Sequence, residues 1–272
     1  MTMPDFPSLT IFGAGKMGGA LLRGALAAGW PAATITVIDP NPSETLRGEA
    51  AATGFALNPA HVAPAGLLLL AIKPQALDAA AGALAAHVGP ETIVVSILAG
   101  KRIADLRARL PGATRFVRAM PNTPAAIGRG ITGAFATAAL AAPDRAAVQR
   151  LLATTGRVEW VDAEALIDAV TAVSGSGPAY VFHLTECLAR AGETLGLPAD
   201  LAMRLARATV EGAGELMFLE PDASPAVLRQ NVTSPGGTTA AALEHLMAKD
   251  GLEPLMIRAV TAARDRARAL SG

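Results

Sequence analysis

The sequence has little of what several protein classes need. It contains one cysteine, Cys187, in 272 residues. No disulfide can therefore form within the chain, which fits a reducing compartment such as the cytoplasm. Cys187 lies in an apolar helical stretch, where a packed thiol is expected rather than a nucleophile. The four histidines are scattered, and no metal-ligand spacing emerges, so no metal is predicted.

The sequence also has no excess of charge of one sign and no long hydrophobic run. Lys and Arg number 23, as do Asp and Glu, and no basic run occurs. Nucleic acid requires a basic footprint that neutralises phosphates, so no nucleic-acid partner is expected. The apolar runs are short, and residues 1–8 lack the charged start and apolar core of a signal peptide. We therefore expect no membrane partner.

The first part of the chain alternates short apolar runs with helix-forming segments. Strands are predicted at residues 9–12, 34–38, 67–72, 92–97, 114–118, 131–136 and 158–161. Helices are predicted at 17–28, 42–52, 76–87, 102–109 and 144–155. This alternation is typical of a doubly wound parallel sheet, here an N-terminal Rossmann domain over residues 1–162.

The pattern changes after residue 162, and no convincing strand follows. Helices are predicted at residues 165–173, 178–195, 200–217, 225–231, 239–248 and 253–270. The fold class is therefore α/β, with a Rossmann domain followed by an all-α domain over residues 163–272.

The segment GAGKMG at residues 13–18 matches the G-x-G-x-x-G pattern, and it follows a predicted strand and opens a helix. Gly13 allows a tight turn, Gly15 lets the backbone approach a pyrophosphate, and Gly18 allows close packing of helix on strand. A chance glycine-rich turn is the alternative. In this context we predict a dinucleotide site, which also includes Lys16 and Met17.

Asp39 ends the second predicted strand. An acid at this point hydrogen-bonds the adenosine ribose hydroxyls and disfavours a 2′-phosphate, which predicts tolerance of NADH. Alternatively, Asp39 caps the turn at residues 40–42, and both functions can hold.

Loops at residues 72–75, 96–100 and 120–124 follow other strands, at the edge where ligands bind. Stiff but ordinary turns are the alternative there.

Two glycine-rich segments interrupt the helical region, SGSGPA at residues 174–179 and SPGGTT at 234–239. Each precedes a helix, so each is expected to present N–H groups and hydroxyls as a carboxylate nest. Ordinary helix caps are the structural alternative.

No conventional acid–base pair is visible. That suits hydride transfer to an imine better than alcohol oxidation, which needs a base.

Together these motifs resemble the pyrroline-5-carboxylate reductase family. The resemblance covers nearly the whole chain and rests on five segments in family order: GAGKMG at 13–18, AIKP at 71–74, RAMPNTP at 118–124, SGSGPAY at 174–180 and SPGGTT at 234–239. It implies an all-α dimerisation domain and a homodimer, which assembles in such enzymes into a homodecamer. It also implies reduction of 1-pyrroline-5-carboxylate to L-proline by NADPH or NADH, the final step of proline biosynthesis.

The resemblance further implies residue roles. Ser234, Gly236, Gly237 and Thr238 bind the substrate carboxylate, and Thr239 is the catalytic residue, with its hydroxyl near the ring nitrogen. The residues implied at the cofactor are Asn58 at the adenosine ribose and Ala71, Lys73, Pro74 and Asn122 at the nicotinamide end. Asp39 departs from the small hydroxyl residue or arginine common in the family, which leaves the preference for NADPH open.

Two alternatives remain. One is a hydroxyacid dehydrogenase, or a reductase of another imine, with a similar layout. Such dehydrogenases usually have a catalytic lysine in the helical domain, but this domain contains only Lys249. A dinucleotide-binding regulator without turnover could dispense with the segment at 234–239, which this chain retains.

Overall fold

The computed structural model describes residues 6–270. Contacts divide these residues into two compact units, one of residues 6–175 and 263–270 and one of residues 176–262. This division falls after the predicted boundary at 162/163, because the helix Leu166–Val170 packs on the sheet of the first unit. The boundary of the functional domains stays a prediction.

The first unit is built on one mixed sheet. Within the described residues its strands are β1 (Leu9–Phe12), β2 (Ile35–Ile38), β3 (Ala56–Leu57), β4 (Leu67–Leu70), β5 (Ile93–Ser96), β6 (Arg115–Met120), β7 (Gly130–Ala136) and β8 (Gly156–Trp160). Their order is β3-β2-β1-β4-β5-β6-β7-β8. The first six strands are parallel, and the chain reverses its direction of winding between β1 and β4. The predicted doubly wound Rossmann sheet is confirmed.

Helices cover both faces of this sheet. They are α1 (Lys16–Ala27), α2 (Glu44–Thr53), α3 (Leu77–Ala85), α4 (Ile103–Arg109), α5 (Ala142–Ala153) and α6 (Leu166–Val170). Alternate strand residues enter two separate cores: Leu67 and Leu69 pack with α1 and α5, whereas Leu68 and Leu70 pack with α3 and α4. Every residue of β4 is fully buried, as expected of a central parallel strand.

The direction of β7 differs from the prediction. It runs antiparallel to β6, and β8 is parallel to β7, so the sheet is not parallel throughout. A parallel partner needs a crossover of a dozen or more residues, usually with a helix. Only residues 121–129 join β6 to β7, and they form the short 3₁₀ helix Thr123–Ile127. The chain therefore turns back on itself. The two-residue strand β3 was also missed by the prediction.

The second unit is helical. Its helices are α7 (Gly177–Thr194), α8 (Ala199–Leu219), α9 (Pro225–Asn231), α10 (Thr238–Leu246) and α11 (Leu252–Leu270), the last of which ends in the first unit. Helices α7 and α8 pack together through small residues: a Cβ at Gly192 would lie 3.2 Å from the Cβ of Ala202. Gly196, at φ 94°, forms the turn between them. Within residues 6–270, no helix combines the length and apolar character of a membrane span.

Much apolar surface of this unit is uncovered in the single chain. Phe182, Leu219 and Val232 are each more than 60% exposed, at 64%, 65% and 65%. Cys187 is exposed too, so the expected packed thiol is wrong for the isolated chain. The reason is that α7 buries only Ala189, leaving most of its circumference open. Such a surface is typical of a region that pairs with another chain.

Candidate dinucleotide and substrate site

The glycine loop lies at the carboxyl edge of the parallel strands, beside the switch between β1 and β4. Gly13 follows β1 directly, and its N–H donates to the Ile38 carbonyl at 2.8 Å. On the other side, the Ala71 N–H donates to the Phe12 carbonyl at 2.8 Å. The loop is thus fixed between the ends of β2 and β4. This is the position at which open α/β sheets bind ligands.

Two of the three motif glycines are required by close packing. Gly13 has φ 95°, and a Cβ there would lie 2.8 Å from the Ala71 carbonyl oxygen. A Cβ at Gly18 would lie 2.0 Å from the Gly13 carbonyl oxygen. No side chain fits at either position without a backbone shift. The predicted tight turn at Gly13 and close helix packing at Gly18 are both present.

Gly15 is different, because a Cβ there would meet nothing within 4 Å. It is the residue that precedes α1, and no side chain caps the N–H groups of the first helical turn. These N–H groups and the helix dipole favour an anion. Open space above an uncapped helix N-terminus fits a pyrophosphate. Lys16 is exposed and Met17 is half-buried at the start of the same helix.

Asp39 connects β2 to this loop through both carboxylate oxygens. Oδ2 accepts a hydrogen bond from the Ala14 N–H, and Oδ1 accepts one from the Asn41 N–H, each at 2.9 Å. Its turn-capping function is therefore present. Asn58, at φ 48°, holds the Asp39 backbone: its Nδ2 donates to the Asp39 carbonyl at 2.8 Å, and its Oδ1 accepts from the Asp39 N–H at 2.9 Å. The structure thus brings these two predicted site residues together.

The remaining predicted cofactor residues also follow strands at this edge. Ala71 comes directly after β4, and Lys73 is exposed just before Pro74, which opens the 3₁₀ helix Pro74–Ala76. Asn122 follows β6 and is only 9% exposed. Its Oδ1 accepts a hydrogen bond from the Ile131 N–H at 3.0 Å, which closes the loop between β6 and β7.

In the second unit, the segment at 234–239 forms a turn that leads into α10. The Gly237 N–H donates to the Ser234 carbonyl at 3.0 Å, and Gly236 has φ 69°. Gly237 precedes the helix without any side-chain cap, so Thr238 and Thr239 occupy its first turn. Ser234, Gly236 and Thr238 are exposed, whereas Gly237 and Thr239 are half-buried. The predicted glycine-rich turn before a helix is present here.

The other glycine-rich segment is not the open turn that was expected, and carboxylate binding there stays a prediction. Residues Thr171–Gly175 continue α6 as a π-helical turn, and α7 begins at Gly177. The Ser174 hydroxyl donates to the Val170 carbonyl at 3.0 Å. Its hydroxyl is therefore used within the helical run. The π-helical turn is itself a feature often found at functional sites.

A buried ion pair beside the loop at 120–124 was missed by sequence reasoning. Arg118, in β6, donates from Nη2 to Asp168 Oδ1 at 2.8 Å, and the two side chains are 2% and 3% exposed. Arg118 and Phe116 lie on the same face of β6 by the alternation of strand side chains. A charged residue at an inward position was the available signal. Among the described residues, no group of three or more His, Cys, Asp or Glu side chains could hold a metal ion.

These features define a class: a dinucleotide-binding Rossmann protein with a helical C-terminal region. Two family models match the chain. Residues 164–270 match the model described as pyrroline-5-carboxylate reductase dimerisation, and residues 8–100 match the model described as NADP oxidoreductase coenzyme F420-dependent.

Whole-chain comparisons identify the family. A pyrroline-5-carboxylate reductase of Pseudomonas aeruginosa is 43% identical over 97% of each chain. The solved structure of such a reductase from Coxiella burnetii has TM-score 0.87 and 34% identity, covering 98% of this chain and 100% of that one. That of the Plasmodium falciparum reductase with NADP bound has TM-score 0.76 and 26% identity, covering 98% of each. The chain belongs to the pyrroline-5-carboxylate reductase family.

Proposed function

We propose that this protein reduces the C=N bond of 1-pyrroline-5-carboxylate to give L-proline, with NADPH or NADH as reductant, as the final step of proline biosynthesis. The observation that carries the proposal is that, in a chain of this family, two helices begin after a glycine N-cap with no side-chain cap, α1 after Gly15 and α10 after Gly237. One follows the glycine loop at the sheet edge, and the other follows the turn at 234–237. Each suits an anion, a pyrophosphate in the first case and a carboxylate in the second.

The glycine loop and its neighbours hold the dinucleotide. The first-turn N–H groups of α1 bind the pyrophosphate in the open space over Gly15. Two exposed lysines belong to the segments on either side of the pyrophosphate position: Lys16 begins α1, and Lys73 follows β4. When bound, the nicotinamide supplies a hydride. The residues assigned to this half of the site are Gly13, Gly15, Lys16, Met17, Gly18, Asp39, Asn58, Ala71, Lys73, Pro74 and Asn122.

The start of α10 holds the substrate. Ser234, Gly236, Gly237 and Thr238 surround the helix N-terminus, where backbone N–H groups and hydroxyls can donate to a carboxylate. This orients the ring of the imino acid relative to Thr239, one residue further along the helix.

Thr239 assists the reaction as a proton donor or hydrogen-bond donor to the ring nitrogen. Hydride addition to the imine carbon breaks the C=N π bond and leaves an electron pair on nitrogen, which takes up one proton. The product is a secondary amine, and the cofactor leaves oxidised. The protein contributes mainly by positioning, which suits a site without a conventional acid–base pair.

We further propose that NADH is accepted at least as well as NADPH. Both oxygens of the Asp39 carboxylate are bound by backbone N–H groups, so its charge is fixed beside the ribose position. A ribose 2′-hydroxyl can donate to such a carboxylate, whereas a 2′-phosphate is repelled by it.

The assembly is proposed to be a homodimer, with dimers joined into a decamer. The family match to a dimerisation region and the exposed side chains Phe182, Leu219 and Val232 support the dimer. In such a dimer, the segment at 234–239 of one chain contributes to an active site that is shared between the two subunits. A cytoplasmic location is proposed because one cysteine in the sequence fits a reducing compartment.

The test is oxidation of NADH and of NADPH by the purified protein, followed by absorbance, with and without 1-pyrroline-5-carboxylate. Oxidation that depends on the imino acid, together with proline among the products, is expected. A folded protein that binds dinucleotide but oxidises neither cofactor would reject the proposal.

A further inference from the structure

Arg118 forms ion pairs that have no part in the cofactor and substrate binding proposed above. Its Nη2 donates to Asp168 in α6 at 2.8 Å, and its Nη1 lies 3.6 Å from Glu164 Oε1. Glu164 in turn accepts a hydrogen bond from the Ile103 N–H at 2.8 Å, at the start of α4. One buried guanidinium therefore connects β6, α6 and, through Glu164, α4.

This arrangement is a costly way to fill a protein interior. Nε and Nη1 of Arg118 are buried without a hydrogen-bond partner. Desolvation of a buried ion pair often outweighs its Coulombic attraction, and apolar residues of similar volume are frequently as stable or more so. Unsatisfied donors add to that cost. Stability alone is thus a poor explanation for an arginine at this position.

The ion pair joins two segments that reach the candidate site. Two residues after Arg118, β6 ends at Met120 and the loop with Asn122 begins. Beyond Asp168, α6 runs into the π-helical turn Thr171–Gly175. These two segments meet within the first unit, where the Met120 side chain lies 3.5 Å from the Cβ position of Gly175.

We propose that Arg118 is a positioning residue for hydride transfer. Its pairing with Asp168 and Glu164 sets the place of α6 and of the π-helical turn on β6, and so fixes the loop at 120–124 against Gly175. The nicotinamide end of the site then keeps one geometry. The inference rests on the proposed reductase function, and it assigns to Arg118 no contact with substrate or cofactor.

The test compares Arg118→Met/Asp168→Leu with the wild-type protein and with Arg115→Met. The double substitution removes the two buried charges together. Glu164, whose side chain is 27% exposed, keeps the hydrogen bond from the Ile103 N–H. Arg115 is a matched control because it is also an arginine of β6 that pairs with carboxylates, Glu91 and Asp144, but at the opposite end of the strand. Arg118→Lys keeps the charge but not the guanidinium geometry, and it is the test variant if the double variant does not fold.

Steady-state kinetics and amide hydrogen exchange, read beside the melting temperature, separate positioning from stability. We expect the double variant to melt near the wild-type temperature, to keep its KM for NAD(P)H, and to lose about ten- to a hundredfold in kcat, the cost of a misplacement near 1 Å. The kinetic isotope effect with 4-deuterated cofactor should rise. Amide hydrogen exchange should quicken in residues 120–124 and 171–177. Arg118→Lys should lie between wild type and the double variant, and Arg115→Met should match wild type.

The inference is overturned if the double variant keeps wild-type kcat and wild-type exchange, or if Arg115→Met loses as much. Failure of the reductase proposal is distinguishable, because wild-type protein would then oxidise no cofactor with the imino acid. In that case the exchange measurement, made without substrate, still confirms or rejects the positioning by Arg118.

Discussion

The Asp39 carboxylate accepts a hydrogen bond from the backbone N–H of Ala14 at 2.9 Å, which ties the end of β2 to the glycine loop. A second bond, from the Asn41 N–H, fixes the other carboxylate oxygen. The same side chain thus holds the glycine loop and, in the proposed binding mode, places a negative charge beside the cofactor. Most substitutions of Asp39 are therefore expected to change both the loop conformation and the preference between NADH and NADPH. A substitution that removes only the charge should change the preference alone.

Asp39→Asn removes the charge but keeps one oxygen that can accept from a backbone N–H. We expect the ratio of kcat/KM for NADPH to that for NADH to rise about tenfold or more. Like charges about 4 Å apart near a protein surface interact by roughly 1–4 kcal/mol, and about 1.4 kcal/mol is a factor of ten. Steady-state kinetics with both cofactors measures this ratio. An unchanged ratio would show that Asp39 does not select the cofactor.

Gly15→Val places a side chain in the open space over the start of α1. We expect dinucleotide binding to be lost while the fold is kept, because no neighbouring atom lies within 4 Å of the Cβ position. Gly48→Val is the control, since its Cβ position is equally open but lies in α2. Titration of NADH by cofactor fluorescence and circular dichroism check both points. Equal affinity in the two variants would contradict the assignment of the glycine loop.

Thr239→Val keeps the shape of the side chain and removes the hydroxyl. Loss of a hydrogen bond to a charged group costs about 1.5–3 kcal/mol, so turnover should fall roughly ten- to a hundredfold, with cofactor affinity unchanged. Thr239→Ser should restore most of the rate. Thr209→Val is the control, because the Thr209 hydroxyl donates to the Leu205 carbonyl within α8. Wild-type kcat/KM in Thr239→Val would remove the hydroxyl from the mechanism.

His87 makes stability depend on pH. The residue is 3% exposed, its Nδ1 has no hydrogen-bond partner, and burial holds its pKa below the ordinary value of 6.5. Between that value and the lower folded-state pKa, the unfolded chain binds more protons than the folded one. The stability that is present above about pH 6.5 is therefore lost as the pH falls through this window.

Urea midpoints at about pH 7.5 and about pH 5.5 measure this loss. In His87→Leu the difference between the two midpoints should be smaller than in wild type, since no buried imidazole must be charged. His61→Leu is the control, because His61 is exposed. A difference that is equal in wild type and His87→Leu would assign the acid sensitivity to other groups.

The sequence predicted the elements whose causes are local. The apolar runs at β1 and β4 follow from periodicity. Helix-end signals predict the helix start at Pro225 and place the start of α10 at residue 239, one residue after its observed start at Thr238. Gly13 and Gly18 were interpreted correctly because only glycine meets the packing there. The reversal at β7 was not predicted, because an apolar strand has the same pattern in either direction.

The misses at the site arose from contacts distant in sequence. The segment at 174–179 has the composition of a turn, yet Ser174 and Gly175 belong to the π-helical turn that continues α6, and α7 begins at Gly177. The pairing of Arg118 with Asp168 joins residues far apart in the chain. The inward position of Arg118 predicts a buried partner, but no local pattern identifies Asp168 as that partner. Cys187 was predicted to be packed because it lies in an apolar helical stretch. It is exposed because α7 has more apolar positions than its own chain covers.

Transfer of a hydride from the dinucleotide to the imine carbon can be followed with an isotope label. The protein is given NADH or NADPH deuterated at the transferred position, together with 1-pyrroline-5-carboxylate, and the proline formed is analysed by mass spectrometry and NMR. We expect one deuterium in each proline, bound at the carbon of the former C=N bond. Proline without deuterium, or no proline while cofactor is consumed, would contradict it.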